Sequence, residues 1–289
     1  MENNLPARHI VLAFLLALLP ATASAQALDG RLKKFKDSKS ISIAYRTDAP
    51  PFSFVDAGQP IGYSIDLCKR IVSAIDQQLA AGGIQIKWVP VTVQNRFETI
   101  AKGGADMECG SSTVTLSRMK QVDFSNFIFI DSTAVLARAD LKASSLSDLA
   151  GKKIAVVAGT TNETALRQAL KDRLVTANVV ASKTREEAFA ALEAGQVDAM
   201  ASDGLLLLTL APKMKDRKAY VPVEDGLSFE PYAIVLPRND SAFRIEVNSA
   251  LARIYRSDAI QEIYGRWFGS LGKPGPALRA VYGMGAIPE

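Results

Sequence analysis

From residue 41 onward, the apolar positions of the chain switch between two rhythms. Residues 41–46 (ISIAYR) alternate as a strand does and run into a turn at Pro50-Pro51. Residues 64–81 place Ile65, Leu67, Cys68, Ile71, Val72, Ile75 and Leu79 on one helical face, with Ser64 as the expected N-cap and Gly82-Gly83 as the stop. Residues 84–91 read as a second strand and 94–103 as a short helix; 105–110 read as a third strand and 127–137 as one long apolar strand. The pattern then repeats. Strands are expected at 153–157, 177–181 and 197–202, and helices at 161–170 and 184–195, the latter opened by a Thr184-x-x-Glu187 capping box. Strands at 219–223 and 232–237 follow, then amphipathic helices at 241–256 and 258–268 and a Gly/Pro-rich tail.

Two successive βαβαβ units predict an α/β protein of two lobes, each a mainly parallel sheet flanked by helices. The strand at 232–237 and the last helices have no sheet of their own and are expected to return to the first lobe. The predicted division is residues 26–136 with 231–289 for lobe 1 and 137–230 for lobe 2, with two hinge crossings that suit closure over a ligand. In open α/β sheets the ligand site lies at the carboxyl ends of the strands.

Composition narrows the function. Apolar residues make up 48% and charged residues 22% of 289, ordinary for a soluble domain, and the net charge of +4 is spread along the chain, so no nucleic-acid footprint is read. At the N-terminus, Arg8 and His9 precede an apolar run at 10–19, Pro20 breaks it, and Ala23-Ser24-Ala25 fits a cleavage site. The run is about half a bilayer span and predicts a secretory signal peptide over residues 1–25. His9 is the only histidine, so a mature chain from Gln26 has none, which excludes Ser-His-Asp and Cys-His catalysis and His-based zinc. No metal or cofactor is implied, and no P-loop is present. Cys68 and Cys109 could pair in an oxidising compartment or stay as buried thiols.

The stretch 108–125, ECGSSTVTLSRMKQVDFS, concentrates hydroxyls and an arginine beyond the third strand. With Arg46, Arg96, Ser111, Thr113 and Arg118 at strand ends of lobe 1, and Thr161, Arg185 and Asp203 at those of lobe 2, one end of both sheets is polar. Singly, each fits turn or cap chemistry. Together they match an amino acid. Ser111, Thr113, Arg118 and the helix start at Thr161 suit an α-carboxylate, and Asp203 suits the ammonium. Arg46, Arg96 and Arg185 are left without an anion, which points to a second carboxylate on the ligand.

In VTVQNRFETI, DMECGSSTVTLSRMKQVDFS, LAGKKIAVVAGTTNET and ALEAGQVDAMASD the chain resembles the periplasmic solute-binding proteins of polar amino-acid ABC importers, the bacterial extracellular solute-binding protein family 3, and within it the glutamate/aspartate-binding branch. The resemblance spans nearly the whole mature chain. It implies a type II periplasmic-binding-protein fold, a monomer in the periplasm, and partners in the permease and ATPase subunits of an importer. It also implies that Arg118, Ser111 and Thr113 hold the α-carboxylate and its neighbourhood, that Thr161 adds a contact from lobe 2, that Asp203 takes the ammonium, and that Arg46 and Arg96 bind the side-chain carboxylate. Val93 stands where the branch has a serine, and Arg185 where it has a histidine. Two other readings stay open: an exported dehydratase-type enzyme on the same fold, for which Glu108 and Glu98 are the nearest acids, and a binding protein coupled to a sensory receptor. Phe52 and Phe54 fit either the cleft or the core.

Overall fold

The computed structural model describes residues 28–223 and 226–288; the expected signal peptide lies outside them. Helix α1 (Gly30–Ser38) leads into β1 (Ser40–Arg46), followed by a small antiparallel sheet of β2 (Asp48–Ala49), β3 (Ser53–Asp56) and β4 (Gln59–Ile61). Then come α2 (Tyr63–Leu79), β5 (Gln85–Val91), α3 (Arg96–Ala101), β6 (Met107–Cys109) and β7 (Asp123–Asp131). The middle of the chain holds β8 (Thr133–Arg138), β9 (Lys153–Val157), α4 (Thr161–Asp172), β10 (Asn178–Ser182), α5 (Arg185–Glu193), β11 (Ala199–Asp203), α6 (Gly204–Leu208) and β12 (Tyr220–Val223). It ends with β13 (Glu230–Leu236), α7 (Ser241–Tyr255), α8 (Ala259–Phe268) and α9 (Pro276–Gly285).

Two five-stranded sheets organise these elements, in the orders β5-β1-β6-β13-β7 and β10-β9-β11-β8-β12. In the first, β5, β1 and β6 run parallel and β13 runs antiparallel to both its neighbours. In the second, β10, β9 and β11 are parallel, and β8 and β12 complete it antiparallel. The chain passes to the second sheet at Ser132 and returns between Val223 and Glu230.

The expected single strand at 127–137 is therefore two strands in different sheets, and β8 belongs with the second. The break falls where the Asp131 carboxylate accepts the backbone N–H of Ser132 (2.8 Å) and of Leu205 (3.2 Å), diverting the chain from its ladder. Ser64 is not the N-cap of α2. Gly62 is, at φ +136°, where a Cβ would lie 2.2 Å from the Phe52 carbonyl oxygen, while the Ser64 hydroxyl, inside the helix, donates to Gly110 O at 2.7 Å. The tail is not featureless. Pro at the start of α9 suits a helix N-terminus, and Leu278, Val281 and Tyr282 bury against the first core.

Phe52 belongs to that core. It is fully buried and meets Tyr63, Phe129, Tyr232 and Phe268 edge-on or tilted, with centroids 5.0–6.1 Å apart. Burying such a ring contributes roughly 1.5–3 kcal/mol. Phe54 packs edge-on against Trp267 at 5.8 Å, also away from the strand ends. Cys68 on α2 and Cys109 on β6 form a disulfide, with Cα atoms 6.5 Å apart, tying a helix to the strand that feeds the polar loop. Among the described residues no helix is long and apolar enough to cross a membrane.

Candidate functional site

Parallel β1, β5 and β6 end side by side, so their following residues converge on the face that meets the second sheet. Arg46 closes β1, Arg96 opens α3, and Ser111 and Thr113 follow β6; all four are buried. From the other side come the start of α4, held by Thr160, whose hydroxyl accepts the Glu163 N–H at 3.2 Å, and the start of α5, held in the same way by Thr184. These caps present Thr161 and Arg185 to the cleft, and β11 ends there at Asp203.

Seven of the eight expected residues line one cavity: Arg46, Arg96, Ser111, Thr113, Thr161, Arg185 and Asp203. Val93 lines it too, at the position where the resemblance leads one to expect a serine. The space left between them is only about 20 Å³, room for about one water, so an amino acid enters only if the two walls part. The walls touch through the Arg185 guanidinium, which donates to the Asp48 carbonyl, through Gln94 Nε2 to Lys183 O (3.1 Å), and through Thr161. Arg118 is the exception. Its Nη1 donates to Thr113 O (2.7 Å), its guanidinium lies 4.7 Å above the Phe97 ring, and it faces an adjoining cavity of about 710 Å³ shared with Thr161, Ser228 and Glu230.

The electrostatics depart from the sequence reading. Arg46 already holds one anion: it forms a fork with Asp48, Nε and Nη2 each at 2.8 Å from a carboxylate oxygen, which leaves Nη1 outside the fork. Arg96 has no such partner among the described residues. It is 4% exposed, its Nε meets no acceptor, and burial first and Arg46 second push its pKa down to about 9. Arg185 donates Nε to the Ser202 hydroxyl (3.2 Å), and burial lowers its pKa as well. Burial raises the pKa of Asp203, and the nearby Glu230 adds to that.

Four acids that the sequence reading did not assign to the site surround it: Asp48, Glu108, Asp131 and Glu230. Glu108 alternates away from Met107 and Cys109, as strand geometry requires, and so reaches the arginines. It is fully buried; Ser112 approaches it, yet neither oxygen attains hydrogen-bond geometry. A Cβ on Gly110 would lie 2.2 Å from Glu108 Oε1, so glycine there makes room for the carboxyl. Glu230 accepts from Thr113 (2.6 Å) and Thr161 (2.7 Å), the hydroxyls expected to hold a ligand. Asp131 pairs with Glu230 across β7 and β13. The sequence singles out Glu108 only as an acid for the enzyme reading; nothing local marks Asp48, Asp131 or Glu230.

Two α/β lobes joined by two crossings, with the polar residues at the strand ends facing each other across one cleft, define a type II periplasmic-binding-protein fold. The chain belongs to the bacterial extracellular solute-binding proteins, family 3, whose model matches residues 41–270. It is 35% identical over 258 residues to the L-glutamate/L-aspartate-binding protein of Pseudomonas aeruginosa, covering 89% of this chain and 85% of that one. An ancestral arginine-binding protein bound to glutamine superposes with a TM-score of 0.70 at 27% identity, over 80% of this chain and 98% of that one. An ancestral amino acid-binding protein described as a precursor of cyclohexadienyl dehydratase matches with a TM-score of 0.70 at 27% identity, over 83% and 100%.

Proposed function

We propose that this protein captures an amino acid, L-glutamate or L-aspartate in the first place, by closure of its two lobes, and delivers it to the membrane permease of an ABC importer. The observation that carries the acidic side of the reading is Arg96: a buried guanidinium at the cleft with no ion-pair partner among the described residues and an Nε that meets no acceptor. Pairing by Asp48 already balances the charge of Arg46, so a ligand side-chain carboxylate is assigned first to Arg96 and Arg185, with Arg46 beside them in the cleft. The 35% identity to a protein named for glutamate and aspartate supports the same ligand. The arginine-binding relative that holds glutamine makes a neutral amide the main competitor.

The open lobes sample closure, and a ligand that touches Arg96 on one side and Asp203 on the other binds the closed form better. In this reading the pivots are at residues 131–133 and 226–230, the protein works as a monomer in the periplasm after export by residues 1–25, and a separate ATPase supplies energy. The dehydratase reading needs a free acid at the cleft; neither Glu108 nor Glu98 lines it, and of the two acids that do, Asp48 is paired with Arg46 and Asp203 is assigned to the ligand's ammonium. Calorimetry with the twenty amino acids, on protein refolded to strip bound ligand, tests the proposal. Heat with L-glutamate or L-aspartate, lost in Arg96→Ala, is expected. Silence with both refutes the acidic ligand, and silence with all refutes amino-acid capture.

A further inference from the structure

Glu108 on β6 is fully buried, and three guanidiniums stand around it: Arg46 at the end of β1, Arg96 at the start of α3 and Arg118 beyond β6. Its neighbours across the sheet, Ala44 and Val235, are apolar. The other acid of α3, Glu98, points outward to Lys102. Arg96 and Arg118 both lie against the Phe97 ring, 4.8 and 4.7 Å from its centroid. Asp48 pairs with Arg46. Of the remaining acids, Glu230 acts most on Arg118, whereas Glu108 acts most on Arg96, with Asp203 second.

That balance works through space. Four buried atoms here meet no hydrogen-bond partner among the described residues: both Glu108 oxygens, Ser112 Oγ and Arg96 Nε. Glu108 sits behind Gly110, where a Cβ would lie 2.2 Å from its Oε1, while Arg96 lines the cleft. The Arg96 guanidinium therefore has an acid behind it and the cleft in front. A carboxylate that enters the cleft and bonds Arg96 takes over the attraction that keeps Glu108 ionised. It also brings a like charge close to a buried acid, and both effects favour the protonated form. Burial already raises the pKa of Glu108, and the arginines pull it back.

We propose that Glu108 is the internal counter-ion of Arg96, and that a ligand carboxylate takes its place electrostatically, so that capture of an acidic amino acid moves one proton from solvent onto the Glu108 carboxylate. The inference rests on the acidic-ligand reading above and adds to it a discrimination by charge. L-Glutamine brings no second carboxylate and leaves Glu108 ionised. At a pH below both the ligand-free and the ligand-bound value of Glu108, the proton is already in place. Above both, none is taken up, and the ligand meets a charged acid. Between the two, affinity for the acidic ligand falls as pH rises, by up to about tenfold per pH unit.

The test is calorimetry of L-glutamate, or of L-aspartate if that is the acid bound, in buffers of differing ionisation heat between about pH 5 and 9, which counts the protons exchanged. The wild type is compared with Glu108→Gln, so that any proton Asp203 or Asp131 gives up to the ligand's ammonium cancels. Expected is an uptake by the wild type that exceeds the variant's by up to one proton, with no such excess for L-glutamine. An equal proton count in both proteins at every pH overturns the proposal, and so does the same excess with L-glutamine. Where Glu108→Gln does not fold, infrared difference spectra of the wild type decide: a protonated-carboxyl stretch gained on adding the acidic ligand supports the proposal, and none gained overturns it. Silence with both acidic amino acids sinks the underlying reading, whereas binding of one with no proton taken up at Glu108 sinks this proposal alone.

Discussion

Arg96 and Glu108 are buried near each other with no hydrogen bond or ion pair joining them, so neither charge is well compensated, and removing both should stabilise the protein. Burial, reinforced by Arg46, pushes Arg96 well below its ordinary value, to about 9, and burial raises Glu108 in spite of three arginines nearby. At 1.36 kcal/mol per pKa unit, the Arg96 shift alone corresponds to ~5 kcal/mol of disfavoured charge. Arg96 is a base with a depressed folded-state value, so this penalty is present in full at every pH below about 9. Replacing a buried pair of this kind by groups of similar volume typically gains about 1–4 kcal/mol. For Arg96→Met with Glu108→Gln, about 2 kcal/mol is a conservative expectation, a rise in melting temperature of ~4–8 °C for a chain of this size. Arg96→Met alone should be close to neutral, because Glu108 then takes up a proton. Glu108→Gln alone should destabilise, because the guanidiniums lose their common counter-charge. The assay is thermal and urea unfolding of ligand-free protein at pH 7 for all four members of the cycle. A double variant that melts at or below the wild type would refute the electrostatic reasoning. One that melts higher but no longer binds an acidic ligand identifies the pair as strain held for function.

Two further outcomes follow from the same structure. The Cys68–Cys109 bridge spans a sequence separation of 41 and should contribute about 4 kcal/mol by restricting the unfolded chain; mild reductant, or Cys68→Ala with Cys109→Ala, should lower the melting temperature by ~8–16 °C, and an unchanged melt contradicts the bond. Asp131 is pushed up to about 7 by burial and then by Asp203, so the folded state holds its proton where the unfolded chain has lost it. That contribution to stability is present near pH 4 and fades as pH rises to about 7. Asp131→Asn should flatten the difference between urea midpoints at pH 4.5 and 7.5, and equal slopes in the two proteins would contradict the shift.

Much of the fold is legible in local pattern. The helices α2, α4, α5, α7 and α8 lie where apolar spacing places them; Thr184 accepts the backbone N–H expected of its capping box, and β1, β9 and β10 match to within a residue. The misreadings share a cause. Residues 127–137 look like one strand because Asp131 and Ser132 carry no Gly or Pro to mark the break, which depends on a bond to the distant Leu205. Helix α9 hides in a Gly/Pro-rich segment because its apolar stripe has meaning only against the core it covers. Ser64 looks like a cap until Gly62 is pressed against the Phe52 carbonyl.

The residue types at the strand ends, and hence a polar cleft between two α/β lobes, were determined by the sequence itself, because strand alternation, helix caps and turn chemistry act over a few neighbours. Which of those residues is free to meet a ligand was decided only by the tertiary structure. Asp48 neutralises Arg46, Glu108 sits behind Gly110 beneath the arginines, and Glu230 claims the protons of Thr113 and Thr161 from 117 and 69 positions away. Charge pairing and hydroxyl direction depend on which atoms meet within about 3 Å, and that is set by sheet register and lobe contact, which no local pattern in the chain encodes.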